Sequence, residues 1–410
     1  MNEFQTNLEK YAELAVKVGV NIQKGQTLVV NTTLEGAELV RLIVKKAYEN
    51  GARNVIVNWN DDIVGRTKYE MAPAEVFNEY PEWRAKETIE LAENGAAFLS
   101  VISSSPDLLK NVQPERIANF QKASGTALKK WRQYMQSDKV SWSIVAVPSQ
   151  AWADKVFPEV AEEKRIDALW EAIFKAVRVD VKEPVEAWKK HDDTLHEKVD
   201  YLNEKHYQKL HYTAPGTDLT IELPEKHLWC GAGSINEQGH EFMANMPTEE
   251  VFTVPLKNGV NGTVSSTKPL SYGGNIIDNF SVTFKEGRIT EVKAEKGEEI
   301  LKQLVDTDEG SHYLGEVALV PFNSPISQSN VLFFNTLFDE NASNHLAIGS
   351  SYAFCLEGGK NMSPEELAEH GLNESLTHVD FMIGSDKMNI DGILPDGTSE
   401  AVFRNGDWAF

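Results

Sequence analysis

The sequence predicts an α/β domain with a mostly parallel sheet, followed by an α+β domain that is mostly antiparallel. Three observations support this prediction. The first part of the chain alternates short apolar segments with amphipathic helical segments, which is typical of parallel sheets covered by helices. The second part contains many short strand-like segments with the hairpin sequences KNGVNG, KEGRI, PDGTSE and RNGDW. At 410 residues the chain is too long for one compact core, so two domains are expected.

The predicted strands of the first domain are apolar, rich in β-branched residues and flanked by turn formers. They span 27–33, 54–59, 96–103 and 141–149. A helix from about Ala37 to Asn50 has Leu39, Ile43 and Ala47 on one face, and Gly51 follows as its C-terminal cap. The sequence NTTLEGAELV after the first strand lacks the glycine patterns of dinucleotide and P-loop sites, so we expect no nucleotide site here.

The domain boundary is predicted near Pro184, with a first domain at 1–185 and a second at 186–410. The composition changes at this point, because all ten histidines, from His191 to His378, lie beyond it. Chemistry that needs an imidazole therefore belongs to the second domain.

Composition restricts the possible partners and location. A net charge of −22 argues against nucleic acid, because phosphate binding needs a basic surface. The acidity is compatible with a cationic substrate, or with a role in solubility alone. No segment approaches the roughly 20 apolar residues of a membrane span, and the polar N-terminus does not resemble a signal peptide. Two cysteines cannot form a disulfide framework, so we expect a cytoplasmic protein.

The segment SLTHVDFMIG is a predicted strand with an unusual polar face. Val379, Phe381 and Ile383 alternate along one face, as in a half-buried strand. The same alternation places His378 and Asp380 side by side on the opposite face. This pair is either an ordinary salt bridge on an exposed sheet face or part of a functional site.

Further candidates are carboxylates and a histidine in other unusual contexts. Glu316 begins the otherwise apolar segment EVALVP, which indicates either a frayed strand end or a carboxylate that is paired or bound to metal. Glu249 and Glu250 lie together in NMPTEEVFTVP. The segment FDENASNHLAIGSSY contributes three more candidates, which are Glu340, His345 and Tyr352. His345 alone would be an ordinary satisfied or exposed histidine.

Counting potential ligands favours a metal site. Imidazole and carboxylate ligands without cysteine suit Zn²⁺, Co²⁺, Mn²⁺ or Fe²⁺. His345, His378 and Asp380 alone would form a triad for a single iron. Glu250, Glu316 and possibly Glu340 make too many ligands for one ion, whereas a carboxylate can bridge two ions in a hydrolytic site. Two metal ions account for every unusual carboxylate.

These segments resemble the thermophilic metalloaminopeptidase family that includes aminopeptidases T, S and II, above all its bacillar aminopeptidase II members. The resemblance covers essentially the whole chain, and NMPTEEVFTVP, the Glu316 strand, NASNHLAIGSSY and THVDFMIG are its most specific parts. It implies a bridging role for Glu316 and a homodimer. The metal ligands that it implies are Glu250, Glu316, His345, His378, Asp380 and, as a further addition, Glu340.

The resemblance implies a metal-dependent exopeptidase that releases N-terminal amino acids from peptides with a free N-terminus. Two Zn, Co or Mn ions would activate a water. Tyr352 would donate its hydroxyl to the oxyanion, or else pack as a simple aromatic residue. Glu250 or its neighbour Glu249 would carry the proton to the leaving amine. Two alternatives stay open: an iron(II) ring-cleaving dioxygenase on a related scaffold, and a catalytically silent peptide- or metal-binding protein.

Overall fold

The computed structural model describes residues 2–103, 105–273 and 275–410. The α-helices, in chain order, are α1 (Glu3–Leu14), α2 (Ala37–Glu49), α3 (Asp62–Met71), α4 (Glu82–Glu93), α5 (Pro114–Ala127), α6 (Lys129–Gln136), α7 (Gln150–Val156), α8 (Glu162–Ala176), α9 (Pro184–Lys205), α10 (Glu298–Val305), α11 (Pro325–Gln328), α12 (Thr336–Asp339) and α13 (Pro364–Glu369).

The strands are β1 (Thr27–Thr33), β2 (Asn54–Asn60), β3 (Ala97–Ile102), β4 (Trp142–Ala146), β5 (Lys209–Ala214), β6 (Thr217–Glu222), β7 (Cys230–Gly231), β8 (Ser234–Ile235), β9 (Glu241–Phe242), β10 (Val251–Thr253), β11 (Val260–Ser265), β12 (Leu270–Tyr272), β13 (Asn275–Lys285), β14 (Arg288–Lys296), β15 (Leu314–Leu319), β16 (His345–Gly349), β17 (His378–Met382), β18 (Asn389–Ile393), β19 (Ser399–Arg404) and β20 (Asp407–Trp408).

The chain divides into two compact units. Unit 1 comprises Met1–Asp192 and Gly233–Pro247, and unit 2 comprises Asp193–Ala232 and Thr248–Phe410. The segment Gly233–Pro247 belongs to unit 1 although it follows the predicted boundary in sequence. A backbone hydrogen bond joins this segment to β4 of unit 1, since the N–H of Ile144 donates to the carbonyl of Ala244 at 2.8 Å.

Unit 1 contains a parallel sheet with the strand order β2-β1-β3-β4. The predicted strands lie within a few residues of the observed ones, and the predicted parallel sheet is confirmed. Helix α2 buries Leu39, Ile43 and Ala47, as its periodicity predicts. Gly51 after it has a φ of 90°, a left-handed conformation that glycine adopts without strain at a helix C-terminus.

Unit 2 contains two larger antiparallel sheets, which confirms the predicted fold class. The large sheet has the order β12-β13-β11-β6-β5-β18-β19-β20, with β14 paired to β13. KEGRI, PDGTSE and RNGDW form hairpins within it. KNGVNG does not, because β10 and β11 on either side of it lie in different sheets. That predicted hairpin is wrong, because an Asn-Gly turn favours a reversal of the chain but does not determine which strands pair.

The site sheet, with the order β17-β16-β15-β10-β7, has two chemically different faces. The apolar face belongs to a core that also includes residues of the large sheet and of α10. Its residues in β15, β16 and β17 include Val317, Leu346, Ile348 and Phe381, which are fully buried. All residues of β15 and β16 are buried, so a polar side chain on the other face has little access to water.

Among the described residues, none of the helices combines the length and the apolar composition that a membrane crossing requires.

Candidate metal centre

The candidate ligands lie on one face of the site sheet because the strand register makes them neighbours. Glu316 of β15 pairs with Ala347 of β16, and Ala347 pairs in turn with Asp380 of β17. His345 lies two residues before Ala347, and His378 lies two residues before Asp380, so both imidazoles project from the same face. The small side chain of Ala347 leaves space between the two acids.

The carboxylate of Glu316 connects the two imidazoles. Its Oε1 lies 3.5 Å from Nε2 of His345, and its Oε2 lies 3.3 Å from Nε2 of His378. Each imidazole also faces a second carboxylate. Nε2 of His345 lies 3.1 Å from Oε2 of Glu250, and Nε2 of His378 lies 3.5 Å from Oδ1 of Asp380. Each imidazole is therefore placed between two acids, one of which is shared.

These contacts form two groups of potential ligands that meet at Glu316. One group is Glu250, Glu316 and His345, and the other is Glu316, His378 and Asp380. In each group the potential ligand atoms all lie within 4.8 Å of one another. Two adjacent groups with one shared carboxylate can hold a pair of divalent cations.

Backbone carbonyls orient the two imidazoles. Nδ1 of His345 lies 3.1 Å from the carbonyl oxygen of Ser343, and Nδ1 of His378 lies 2.8 Å from that of Ser350. A carbonyl oxygen only accepts hydrogen bonds, so Nδ1 of each ring must carry the proton. Nε2 of each ring is then available as a metal ligand, the usual arrangement of metal-binding histidines.

The electrostatics of the cluster are those of crowded, buried acids. Burial raises the pKa of Glu250, and burial together with the charges of Asp380 and Glu250 raises the pKa of Glu340 well above its usual value. Burial also opposes ionisation of Glu316, but the hydrogen bonds that His345 and His378 donate through Nε2 when they are protonated outweigh it and lower its pKa to about 2. The shared carboxylate is therefore the one held most firmly in its charged form.

The donor set fits divalent metal ions. Even if both imidazoles were protonated, they would balance only two of the four carboxylates around them. Buried carboxylates must be paired, protonated or bound to a cation. Nitrogen and oxygen donors without a thiolate suit zinc, cobalt or manganese. The two ligand groups contain Glu250, Glu316, Asp380, His345 and His378, and Glu340 is within electrostatic reach of them.

Glu340 and Tyr352 lie beside the two ligand groups. Glu340 begins the short turn Glu340–Ala342, and its buried carboxyl group is within electrostatic reach of Asp380, Glu250 and Glu316. The ring of Tyr352 has its centroid 4.7 Å from that of His378. Burial and the negative charges of Glu316 and Asp380 raise the pKa of Tyr352 well above its usual value, so its hydroxyl stays a hydrogen-bond donor.

The structure decides between alternatives that the sequence left open. Glu316 is the third residue of β15 and is only 4% exposed, so it does not lie at a frayed strand end. His345 is 1% exposed and faces two acids, unlike an ordinary surface histidine. The side chains of His378 and Asp380 are 18% and 14% exposed, and His378 also contacts Glu316. They are not an isolated salt bridge on an exposed sheet face.

Sequence analysis missed one residue that organises this region, Asn341. Its side chain is fully buried, and its Nδ2 donates to the carbonyl of Leu337 at 2.9 Å. Its Oδ1 accepts a hydrogen bond from the backbone N–H of Glu249 at 2.7 Å. Asn341 thereby ties the chain around Glu250 to the turn that carries Glu340. The signal in the sequence was NASN (341–344), which has three short polar residues directly before the buried strand β16.

Comparison with known proteins agrees over the whole chain. The model of the family described as thermophilic metalloprotease (M29) matches residues 4–408. Aminopeptidase AmpS of Bacillus subtilis (strain 168) is 68% identical over 410 residues, covering 100% of both proteins. Aminopeptidase 2 of Geobacillus stearothermophilus is 54% identical over 410 residues, covering 100% of this chain and 99% of that protein.

A solved structure shows the same fold. The chain matches wild-type AmpT from Thermus thermophilus with a TM-score of 0.93 and 42% identity, over 99% of this chain and 100% of that chain. The succession of a parallel and a mostly antiparallel domain is thus confirmed.

Proposed function

The chain belongs to the thermophilic metalloprotease family M29 and is a hydrolase of peptide bonds, and on that premise we propose that it is a metal-dependent aminopeptidase. It releases N-terminal amino acids from peptides that have a free N-terminus. The names of the relatives, which include aminopeptidases AmpS and 2, support this proposal.

The proposed metal ligands are Glu250, Glu316, His345, His378 and Asp380, with Glu316 shared and Glu340 as an additional carboxylate. The single observation that carries this assignment is that the two oxygens of Glu316 face different imidazoles, at 3.5 and 3.3 Å. Two bound divalent ions, of zinc, cobalt or manganese, would supply an activated water and polarise the scissile carbonyl.

The residues of the chain have separate roles in the proposed reaction. The hydroxyl group of Tyr352 donates a hydrogen bond to the oxygen of the scissile carbonyl as negative charge develops there. The carboxylate of Glu250, or that of its neighbour Glu249, takes up the proton of the attacking water and passes it to the leaving amine.

Recognition of the free α-amine would account for selection of the N-terminus. The ions that the cluster would hold would supply a binding position for the uncharged amine nitrogen of a peptide. An acylated nitrogen cannot take that position, because its lone pair is delocalised into the carbonyl group. The proposed site therefore discriminates between the two ends of a peptide through the amine.

The two alternatives from the sequence are not supported. A ring-cleaving dioxygenase would use only His345, His378 and Asp380, whereas Glu250 and Glu316 directly face His345 in the structure. The family is one of metalloproteases, which argues equally against a silent binding protein.

The test compares leucyl-p-nitroanilide with its N-acetylated form, using protein loaded with zinc, cobalt or manganese. We expect hydrolysis of the free substrate alone, loss of activity on exhaustive chelation and recovery when a metal is added back. Cleavage of the acetylated substrate at a similar rate, or full activity after chelation, would contradict the proposal.

The proposal also includes the metal content, the oligomeric state and the cellular location of the protein. Elemental analysis should find about two divalent ions per chain, as a bridged pair of sites requires. We further propose a homodimer, which light scattering would detect as twice the chain mass, and a cytoplasmic location, which fractionation of the source cells would test.

A further inference from the structure

Three half-buried aromatic rings lie together beside the candidate metal centre. They belong to Phe252, Tyr352 and Phe354, and we call them the aromatic wall. The ring centroids are 6.1 Å apart for Phe252 and Tyr352, 6.0 Å for Phe252 and Phe354, and 5.2 Å for Tyr352 and Phe354. Because each ring contacts both others, the three form one apolar surface.

The aromatic wall is continuous with the ligand cluster. The ring of Tyr352 contacts the imidazole of His378, with centroids 4.7 Å apart. Phe252 pairs with Ala318 of β15, two residues beyond Glu316, and therefore lies on the ligand-bearing face of the site sheet. The polar centre and the aromatic wall are adjacent parts of one face.

One side of the aromatic wall packs against buried hydrophobic residues. The three rings pack against a cluster of fully or almost fully buried residues, which are Val254, Cys355, Leu356 and Leu372. The rings themselves keep part of their surface accessible. A supported, partly exposed apolar surface is suited to contact with an apolar group of a ligand.

We propose that the aromatic wall receives the side chain of the substrate's N-terminal residue and favours bulky apolar residues such as leucine and phenylalanine. This inference rests on the proposed aminopeptidase function. A peptide whose α-amine lies at the candidate metal centre must place its first side chain within a few ångströms of the ligand residues. The aromatic wall is an apolar surface within that distance, since Tyr352 contacts a proposed ligand directly.

The experiment measures kcat/KM for leucyl- and alanyl-p-nitroanilide with the metal-loaded wild type, Phe252→Ala and Phe354→Ala. Wild type should prefer leucine by about tenfold or more, because each methylene in an apolar pocket is worth at least about that factor. Each alanine variant should reduce this preference about tenfold, mainly through KM for the leucine substrate. Hydrolysis of the alanine substrate should change less than about threefold, since its methyl group reaches little of the wall.

Two further variants separate selectivity from packing. Phe354→Leu keeps an apolar side chain at the aromatic wall and should retain most of the preference for leucine, even if Phe354→Ala does not fold. Phe410→Ala is the matched control, because it removes a ring that is stacked on Tyr201 at 3.6 Å and belongs to neither the aromatic wall nor the ligand set. It should leave the preference unchanged.

The outcomes distinguish this inference from the function on which it rests. If the wall variants slow both substrates equally, the aromatic wall is only packing and the inference is overturned, while the aminopeptidase function stands. If the metal-loaded wild type hydrolyses neither substrate, the proposed function fails and the inference fails with it. A selective loss of the leucine preference supports both.

Discussion

The side chain of Asn341 accepts a hydrogen bond from the backbone N–H of Glu249 at 2.7 Å, within the buried interior of unit 2. The bond connects two segments that are distant in sequence. One leads into Glu250, and the other carries Glu340. The positions of two proposed ligands therefore depend on an amide side chain that binds no metal.

Asn341→Ala should weaken metal binding and lower the stability of the protein, but the variant should still fold. Removing a partner that orients metal ligands costs about tenfold or more in metal affinity. Loss of the buried hydrogen bonds should cost about 1–3 kcal/mol of unfolding free energy. Metal titration of activity and denaturant unfolding measure the two effects.

The matched control for Asn341 is Asn236→Ala in unit 1. Asn236 is also buried, and its side chain donates to Oγ of Ser141 at 3.0 Å. It should lose stability without a change in metal affinity. Equal metal affinity in both variants would show that Asn341 has only a structural role.

Glu316→Gln should remove both metal ions rather than one. The amide keeps the shape of the side chain but replaces one of the two oxygens that face His345 and His378 with a donor group. Elemental analysis should find the metal content far below that of wild type, and activity should fall by at least about a thousandfold. Glu222→Gln, which removes a surface charge paired with Lys209, is the control. Full metal content in Glu316→Gln would contradict the shared role.

Tyr352→Phe should lower kcat by roughly a hundredfold or more, because it removes one donor to the developing oxyanion. The ring that contacts His378 is retained, so metal content should be unchanged and KM should change little. Steady-state kinetics and elemental analysis of the same preparation test this. A variant with wild-type kcat would leave Tyr352 with a packing role only.

His227 should make unit 2 sensitive to acid. It is almost fully buried and stacked on His206, and burial lowers its pKa to about 4. An unfolded histidine has a pKa near 6.5, so between these values the unfolded chain binds the proton more tightly. Stability is therefore lost as the pH falls through this range, and His227 should account for about 2 kcal/mol between pH 7.5 and pH 5.

The measurement compares denaturant unfolding of wild type and His227→Gln at both pH values, with metal removed from both proteins. Glutamine does not titrate, so the variant should lose less stability on acidification than wild type does. The difference between the two proteins isolates His227 from other titrating groups. An identical loss in both would mean that His227 titrates normally in the folded state.

The local sequence pattern was sufficient to predict those structural features that depend on side-chain periodicity. The apolar strands and the amphipathic α2 follow from side-chain periodicity, and so does the separation of Phe381 from His378 and Asp380 on opposite faces of β17. The same pattern could not show that KNGVNG lies between strands of different sheets. It also could not show that Gly233–Pro247 belongs to unit 1, because both properties depend on contacts with distant residues.

The types of site residue, the segments that carry them and the resemblance to a metalloaminopeptidase family follow from the sequence alone. The position of Glu316 between His345 and His378, with Ala347 paired to both Glu316 and Asp380, is a property of the folded chain. The alternation of a strand is local and follows from which residues are apolar. The register between strands is set by packing of the whole apolar face against the core, and a shift of one residue in β15, β16 or β17 would turn the ligands of that strand away from the site.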